Sequence, residues 1–299
     1  MVMDNFIKSP LNYTGGKFKL LSQIIPLFPT KINTFIDLFC GGCNVGINVN
    51  AQKYLFNDNL IYLIDLYNNF KDKNINDILN HINDRINQFK LSLDNVDGYN
   101  KLRDLYNNEK NPLDLFVLIS YSFNHQIRFN SLHEFNTSFG KQRSSFNDTI
   151  KNNLINFVNK IHQIDCRFIK SNFDKLNFNN LSSDDFVYCD PPYLITTGSY
   201  NDGKRGFTGW SNNEEIKLLS LLNELNEKNI KFALSNVLYH KGKENNLLLD
   251  WISDNNYNVH HLKMNYANSS YHTLDRNINS SDEVLITNYN FEDNNFRLF

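Results

Sequence analysis

The chain has 299 residues, 41% hydrophobic and 21% charged, a composition typical of a globular protein with one large domain or a domain that carries an insertion. Its formal net charge of −2 excludes a protein that coats nucleic acid through overall basicity, so any DNA contact must come from a local patch. The four cysteines lie in or beside apolar segments, where cysteine usually packs as a small hydrophobic residue, so we expect neither a metal site nor a disulfide framework.

The first five residues carry neither the basic stretch nor the apolar stretch of a secretory signal. No run of about 18 apolar residues predicts a membrane-spanning helix. We therefore expect a soluble, cytoplasmic protein without a membrane partner.

The first notable segment is Tyr13-Thr14-Gly15-Gly16-Lys17, which precedes a helical pattern that ends at Pro26 and Pro29. A glycine pair before a helix offers backbone N–H groups to an anion, and Lys17 adds a cation. Two glycines before a helix are also typical of a plain turn, so this segment alone leaves both interpretations open.

Residues 34–39 read as a strand, and the glycine-rich residues 40–46 read as a tight turn that opens a helix. Together they predict the first half of a nucleotide-binding βαβ unit. The spacing is not GxGxxG, so a dinucleotide is not favoured. Asp37, near the end of this strand, could approach a charged part of the ligand.

The next predicted strand, 54–56, ends in Asn57-Asp58. An acid at the end of the second strand is suited to bind ribose hydroxyls. Asp58 could equally cap the helix predicted over residues 60–70, and the two roles can coexist.

Residues 71–165 break the alternation of strands and helices, which indicates a helical insertion in an α/β domain. Helical patterns cover residues 74–90, 98–108, 111–124 and 148–163. The intervening loop, most densely over 121–143, interleaves Arg, Asn, Gln and Lys with aromatic residues. Such side chains read bases and contact phosphates, although a solvated polar loop would have the same composition.

The C-terminal half returns to α/β, with strands predicted at 167–169 and 185–189. Asp190-Pro191-Pro192-Tyr193 follows the second of these, and neither proline can continue a central strand because neither donates a ladder hydrogen bond. A carboxylate, two free carbonyls and an aromatic ring therefore gather at the carboxyl end of a strand, where open α/β sheets bind ligands.

The chain beyond the Asp190 corner predicts a loop followed by the rest of the sheet. Residues 194–211 form a Gly-, Ser- and Thr-rich candidate lid, in which Lys204 and Arg205 could meet phosphates. His272 and Arg276 lie in a later polar loop and match no role. The remaining predicted elements are a helix at 212–228, a strand at 230–235 ending at Asn236, a helix at 242–255 and strands at 257–264 and 283–288.

The order of these segments resembles the Dam-type (D12 class, class alpha) DNA adenine N6-methyltransferases over about residues 9–289. Residues 13–17 look like the family's N-terminal cofactor motif, Asp37-Leu38-Phe39-Cys40-Gly41-Gly42 like its methionine-pocket motif, and Asn57-Asp58 like its ribose acid. Phe135-Asn136 and Phe139-Gly140-Lys141 resemble the end of its recognition region, and residues 188–193 its catalytic motif. Residues 121–134 depart from better-known members, which leaves the recognised bases open.

The resemblance implies a Rossmann-like S-adenosylmethionine-dependent methyltransferase sheet of about seven strands, the last antiparallel, with an inserted, mainly helical DNA-recognition domain. The catalytic domain would comprise residues 1–70 and 165–299, and the insertion residues 71–164. S-adenosyl-L-methionine would be the cofactor and double-stranded DNA the substrate. The protein would either have a cognate restriction endonuclease that acts on the same site as its partner or stand alone as an orphan Dam-like enzyme, and a monomer or weak dimer is expected.

The resemblance, together with the loop chemistry above, also implies a set of site residues. The catalytic residues are Asp190, Pro191, Pro192 and Tyr193. The cofactor-binding residues are Tyr13, Gly15, Gly16, Lys17, Asp37, Phe39, Gly41, Gly42, Asp58 and Asp190. The DNA-binding residues are Asn124, Arg128, Asn130, Lys141, Arg143, Lys204 and Arg205.

Three alternatives stay open at this point. An N4-cytosine methyltransferase uses similar geometry, usually with Ser in place of Asp190, and an RNA or protein-amide methyltransferase more often carries Asn there. A non-catalytic DNA-binding module is disfavoured by the intact Asp190 corner and Lys17. The cytosine C5 methyltransferases are disfavoured, because their mechanism needs a Cys nucleophile, often beside a Pro, and the sequence holds no Pro-Cys pair.

Overall fold

A computed structural model describes residues 6–196, 210–263 and 281–290. Lys204 and Arg205, with most of the predicted lid, lie outside the described residues, as do His272 and Arg276. Among the described helices, none has both the length and the apolar character needed to cross a lipid bilayer.

The described strands form one mixed sheet. They are β1 (Thr34–Asp37), β2 (Lys53–Asp58), β3 (Asp165–Lys170), β4 (Phe186–Cys189), β5 (Lys231–His240), β6 (Lys243–Glu244), β7 (Asn258–Leu262) and β8 (Ser281–Thr287). Their order is β3-β2-β1-β4-β5-β8-β7, with the short β6 paired with β5. The first five strands in this order run parallel, and β8 runs antiparallel to β5 and β7. The predicted mostly parallel sheet with an antiparallel last strand is confirmed.

The strands bury side chains on both faces, which explains their nearly continuous apolar sequences. Successive side chains point to opposite faces, so Phe35 and Tyr188 contribute to one core cluster and Ile36 and Val187 to the other. The α-helices are α1 (Leu21–Ile24), α2 (Ile61–Asp72), α3 (Ile75–Gln88), α4 (Val96–Glu109), α5 (Pro112–Tyr121), α6 (Asp148–Gln163), α7 (Asn212–Glu227) and α8 (Asn246–Asn255).

The helices between β2 and β3 share their core with one face of the sheet. Ile78 of α3, Phe116 of α5 and Phe157 of α6 belong to the same buried cluster as Phe35 and Phe56 of the strands. The helical segment is therefore present as predicted, but it is continuous with the sheet's own core. Its status as a separate recognition domain stays a prediction.

Of two helix predictions near the N-terminus, the one after the glycine turn was wrong and the one after residue 17 was right in outline. The turn after β1 opens only one 3₁₀ turn, Gly46–Asn48, because glycines and the β-branched Val45, Ile47 and Val49 all have low helix propensity. The helical pattern after residue 17 is present as consecutive helical turns over residues 18–27, but only Leu21–Ile24 is α-helical and the turns on either side of it are 3₁₀.

Candidate active site

Three carboxylates emerge at the carboxyl ends of parallel strands. Asp37 ends β1, Asp58 ends β2, and Asp190 follows β4, which lies beside β1. They line one cavity of about 270 Å³, the size of a small organic ligand rather than a single ion. All predicted catalytic and cofactor residues line this cavity: Tyr13, Gly15, Gly16, Lys17, Asp37, Phe39, Gly41, Gly42, Asp58, Asp190, Pro191, Pro192 and Tyr193. Their individual roles stay predictions.

The glycines of the turn after β1 let the N-terminal segment lie directly on it. A Cβ on Gly41 would stand 3.0 Å from the Tyr13 ring, and one on Gly42 would stand 2.9 Å from the Tyr13 Cβ. Gly41 also has a φ of +43°, which side-chain-bearing residues rarely adopt. The two cavity-lining motifs, residues 13–17 and 40–46, are therefore in contact although 22 residues separate them.

Asp58 bonds both to the glycine turn after β1 and to the residue that precedes α2. Its Oδ2 accepts from the Gly41 N–H at 3.0 Å, and its Oδ1 accepts from the Leu60 N–H at 2.9 Å, just before α2. Burial raises the pKa of Asp58, and these N–H groups oppose the rise. Each carboxylate oxygen can accept a further hydrogen bond, so the geometry leaves acceptor capacity for a ligand hydroxyl.

Asp37 is the most deeply buried of the three carboxylates, with 2% of its surface exposed. Among the described residues, its Oδ1 has no hydrogen-bond partner. Burial raises the pKa of Asp37 well above its ordinary value, and the charges of Asp190 and Asp58 add to the rise. A buried carboxyl group with an unpartnered oxygen in a cavity wall is suited to bind a cationic or N–H-bearing group of a ligand.

Asp190 belongs to a buried network of charges. Lys17 Nζ lies 2.9 Å from Asp190 Oδ2 and 3.5 Å from Glu283 Oε1, and it donates to the Gly15 carbonyl at 2.7 Å. The Tyr193 hydroxyl lies 3.1 Å from both Asp190 Oδ1 and Glu283 Oε1, and the ring of Tyr193 faces Lys17 Nζ at 5.0 Å. The Lys17 side chain is only 4% exposed.

The network shifts the ionisation of its members. Burial raises the pKa of Asp190, Lys17 opposes the rise, and Glu283 adds to it. Burial by itself would lower the pKa of Lys17, but Asp190 and Glu283 outweigh it, so the pKa is raised. Burial and the two carboxylates raise the pKa of Tyr193 well above its ordinary value. Lys17 is therefore held as a cation between two carboxylates.

Sequence reasoning missed Glu283. It lies in β8, whose antiparallel direction brings the start of the strand to the edge where β4 and β5 end. The sequence does show an acid at the first position of the last predicted strand. That acid can be assigned to the site only when the position and direction of the strand in the sheet are known.

Three aromatic rings line another part of the cavity. Phe39 lies 5.4 Å from Phe173 and 5.6 Å from Trp210, between ring centroids. Trp210 donates from Nε1 to Glu215 Oε2 at 2.6 Å, and Asn236 donates to Glu215 Oε1 at 3.0 Å. Of these three rings, only Phe39 was predicted to be a cofactor-binding residue. Glu215 was missed because it falls within an ordinary amphipathic helix pattern, and its complete burial is visible only in the fold.

The predicted DNA-contacting loop contains a hairpin that is hydrogen-bonded to side chains in and just after α4. Phe129 and Phe135 pair across it, and both the N–H and the C=O of Phe135 bond to the Asn107 side chain of α4. The Tyr99 hydroxyl donates to the Thr137 carbonyl at 2.8 Å, and Lys110 donates to the His133 carbonyl at 2.8 Å. The helices therefore hold the hairpin at both its base and its tip.

The predicted DNA-binding side chains differ in their surroundings. Arg128, Lys141 and Arg143 are exposed. Arg143 and Asn124 line a surface depression that includes Thr14, which also lines the main cavity. Asn130 instead uses its side chain in its own turn, accepting from the N–H groups of residues 132 and 134 and donating to the Glu134 carboxylate.

Cys40 and Cys43 have the two-residue spacing found in redox and metal motifs. All four cysteines are buried free thiols in the structure. Burial raises the pKa of Cys40 and Cys43, which keeps both thiols protonated and unreactive.

Named relatives share most of this chain. It is 52% identical over 286 residues to the type II methyltransferase M.FokI of Planomicrobium okeanokoites, and 52% identical over 284 residues to the modification methylase StsI of Streptococcus sanguinis. These alignments cover 96% and 95% of the chain but 43% of each relative, so the chain spans less than half of their length. A DNA adenine methylase of Haemophilus influenzae is 29% identical over 236 residues, covering 76% of the chain and 78% of that protein.

The sequence profile of the D12 class N6 adenine-specific DNA methyltransferases matches residues 13–268. That range begins at Tyr13 on the cavity wall and includes the Asp190 corner. The motif order, the sheet and the gathering of these motifs around one cavity agree with that match. The chain therefore belongs to the D12 class N6 adenine-specific DNA methyltransferase family.

Proposed function

We propose that the protein transfers a methyl group from S-adenosylmethionine to the N6 amine of an adenine flipped out of duplex DNA. The observation that carries the proposal is the position of Asp190: it follows β4, opens into the shared cavity and lies beside Lys17 and Tyr193. Membership of the D12 class supports the reaction and the target atom.

The chemistry of the amine explains why such a corner is needed. The lone pair of adenine N6 is delocalised into the ring, so the amine is a poor nucleophile. Asp190 and the Pro191 carbonyl can accept its two hydrogens, which favours a pyramidal nitrogen with an available lone pair. Two rigid prolines hold the carbonyl and the carboxylate in fixed relation, so positioning and electrostatics supply most of the catalysis.

The cavity suits the expected methyl donor. S-adenosylmethionine would supply an electrophilic methyl group on a sulfonium centre. Asp37 offers a buried, unsatisfied carboxyl oxygen for its ammonium end, and Asp58 retains acceptor capacity for its ribose hydroxyls. Phe39, Phe173 and Trp210 provide apolar ring faces for its adenine.

The target base is out of reach inside a duplex, so it must leave the stack. Tyr193 supplies an aromatic face beside Asp190 against which the base can stack. We assign target recognition to the helical insertion, residues 71–164, because its hairpin is held rigidly by α4 and exposes Arg128. Asn124, Lys141 and Arg143 complete the proposed DNA-facing set, with Asn130 shaping the hairpin turn. Lys204 and Arg205 remain proposed phosphate contacts outside the described residues.

The names of the most similar relatives support a role in restriction and modification, because M.FokI and StsI are called a type II methyltransferase and a modification methylase. We propose a cognate restriction endonuclease that acts on the same DNA site. A monomer or weak dimer would be sufficient, since all the proposed catalytic groups come from one chain.

The test is to incubate the protein with duplex DNA and isotopically labelled methyl donor, and to identify the modified nucleoside by mass spectrometry. We expect N6-methyladenine from the wild type and a loss of at least about 1000-fold in Asp190→Ala, because the amine loses its charged acceptor. Asp184→Ala is the matched control, an exposed acid just before the same strand. N4-methylcytosine, preferential methylation of RNA or protein, or an active Asp190→Ala variant would contradict the proposal.

A further inference from the structure

Glu283 is a buried acid at the centre of the proposed active site that no part of the reaction described so far uses. It is 8% exposed and comes from β8, far along the chain from the other members of the network. Its Oε1 is within 3.5 Å of Lys17 Nζ and 3.1 Å of the Tyr193 hydroxyl. A buried carboxylate costs free energy unless it is paired, so its presence between these groups needs a reason.

Both oxygens of Asp190 already have partners. Oδ2 faces Lys17 at 2.9 Å, and Oδ1 faces the Tyr193 hydroxyl at 3.1 Å. Each oxygen can accept a further hydrogen bond, but an amine that approaches Asp190 must share the oxygen with one of these donors, and it is accepted more strongly where that donor turns away. Lys17 is the less replaceable of the two, because it is a fully buried cation paired with two carboxylates.

The Tyr193 hydroxyl is the donor that can turn away. A tyrosine carries one O–H hydrogen, yet two carboxylate oxygens lie at the same 3.1 Å distance from this hydroxyl oxygen. The hydrogen can point to Asp190 or to Glu283, and rotation of the C–O bond exchanges them. When it points to Glu283, Asp190 Oδ1 is free to accept.

Lys17 is shared in the same way. An ammonium group has three donors, and within the part of the chain that the structure describes Lys17 has three acceptors: the Gly15 carbonyl, Asp190 and Glu283. Glu283 therefore takes part of the electrostatic pull of Lys17, which would otherwise act on Asp190 alone and weaken it as an acceptor.

We propose that Glu283 is a positioning residue that accepts the Tyr193 hydroxyl hydrogen and shares the Lys17 ammonium, so that Asp190 Oδ1 can accept the hydrogen of the target amine. This rests on the proposed methyl transfer to DNA. Glu283 acts through Tyr193 and Lys17 and does not itself touch the base.

Two substitutions separate the charge of Glu283 from its ability to accept. Glu283→Gln removes the charge and keeps an acceptor oxygen, whereas Glu283→Met removes both with little change in volume. We expect kcat to fall about 10-fold in the first and about 100-fold in the second, with DNA and methyl-donor dissociation constants changed less than about 3-fold. Asp282→Asn is the matched control: it lies next to Glu283 in β8 but pairs with His261 on the surface.

The pH dependence of kcat/KM provides a readout that a purely structural role would not change. Among the described residues, the titratable or charged groups that interact with Asp190 are Lys17, Asp37, Tyr188, Cys189, Tyr193 and Glu283. Glu283 raises the pKa of Asp190, so removing its charge must lower that pKa. The acid limb of the profile should therefore move to lower pH in Glu283→Gln.

A double-mutant cycle tests the path through Tyr193. Tyr193→Phe keeps the ring but removes the hydroxyl, so Asp190 Oδ1 has no competing donor and Glu283→Met should cost less in that background than in the wild type. Equal costs in the two backgrounds, or an acid limb that stays in place in Glu283→Gln, would overturn the inference while wild-type methylation stands. An inactive wild type would instead refute the proposed function.

Discussion

Lys17 should be important for the stability of the fold as well as for the chemistry of the proposed active site. Its ammonium group is enclosed at 4% exposure and lies 2.9 Å from Asp190 and 3.5 Å from Glu283. Lys17→Met retains the length of the side chain and removes the charge. The variant would therefore keep the packing and leave two buried carboxylates without their cation.

The distances set the scale of the effect. A unit charge pair at 2.9 Å is worth about 6 kcal/mol at an effective dielectric constant of about 20. Because desolvation of the ammonium offsets part of this, we expect Lys17→Met to lower the free energy of unfolding by about 3 to 5 kcal/mol.

The loss should depend on pH in a defined direction. Without Lys17, the pKa of Asp190 rises further, since burial and Glu283 already raise it and Lys17 alone among its named partner charges is a cation that opposes them. An acid whose pKa is raised on folding stabilises the fold below its unfolded pKa and loses that contribution as the pH rises through the folded value. The difference between variant and wild type should therefore widen as pH rises.

Urea unfolding measured at about pH 5 and about pH 8 checks both expectations. Lys19→Met is the control, because it makes the same change two residues away at an exposed position. Wild-type stability of Lys17→Met at the higher pH, or a stability difference that does not narrow at the lower pH, would refute the assignment of Lys17 as the buried counter-charge.

Two further predictions concern ligand binding. Trp210 lines the cavity and Trp251 does not. The change in tryptophan fluorescence on adding S-adenosylmethionine should therefore disappear in Trp210→Phe and persist in Trp251→Phe. Persistence of the change in both variants would argue against binding of the methyl donor beside Trp210. Arg128→Ala should weaken binding to target DNA about 10- to 100-fold with little effect on donor binding, measured by fluorescence anisotropy. Lys228→Ala is the control, because Lys228 lies between α7 and the start of β5, at the amino end of the parallel strands. An equal loss of DNA affinity in Lys228→Ala would indicate general electrostatic attraction.

Much of the site was predictable because its signals are local. Apolar runs that end in Asp37, Asn57-Asp58 and Asp190 mark strand ends, and parallel strand ends meet at one edge of a sheet. The prolines after Asp190 place that boundary to the residue, since neither can donate a ladder hydrogen bond. Local rules therefore brought together residues that lie more than 150 positions apart.

The remainder depended on information that a sequence pattern does not carry. Glu283 reaches Lys17 only because β8 inserts antiparallel between β5 and β7, and alternation of apolar residues is the same in either direction. Asn130 has the side chain of a base reader, yet its position in a tight turn directs its amide back to the hairpin. Tertiary geometry decided the role of Glu283, and local turn geometry decided that of Asn130, and in both cases the residue type has more than one use.

The strand order explains why the helices between β2 and β3 leave the site intact. From β1 the chain moves outward through β2 to β3, then returns to β4 on the other side of β1, so the order reverses between β1 and β4. Ligands bind at such a reversal because the loops from the two strands diverge and leave a crevice. Asp37 and Asp190 stand on its two sides. Helices α3 to α6 follow β2 and enter β3 at the far edge, where added chain length does not alter the register of β1 with β4. A fold of this kind can therefore vary the segment that would read DNA while the positions of Asp37 and Asp190 stay fixed.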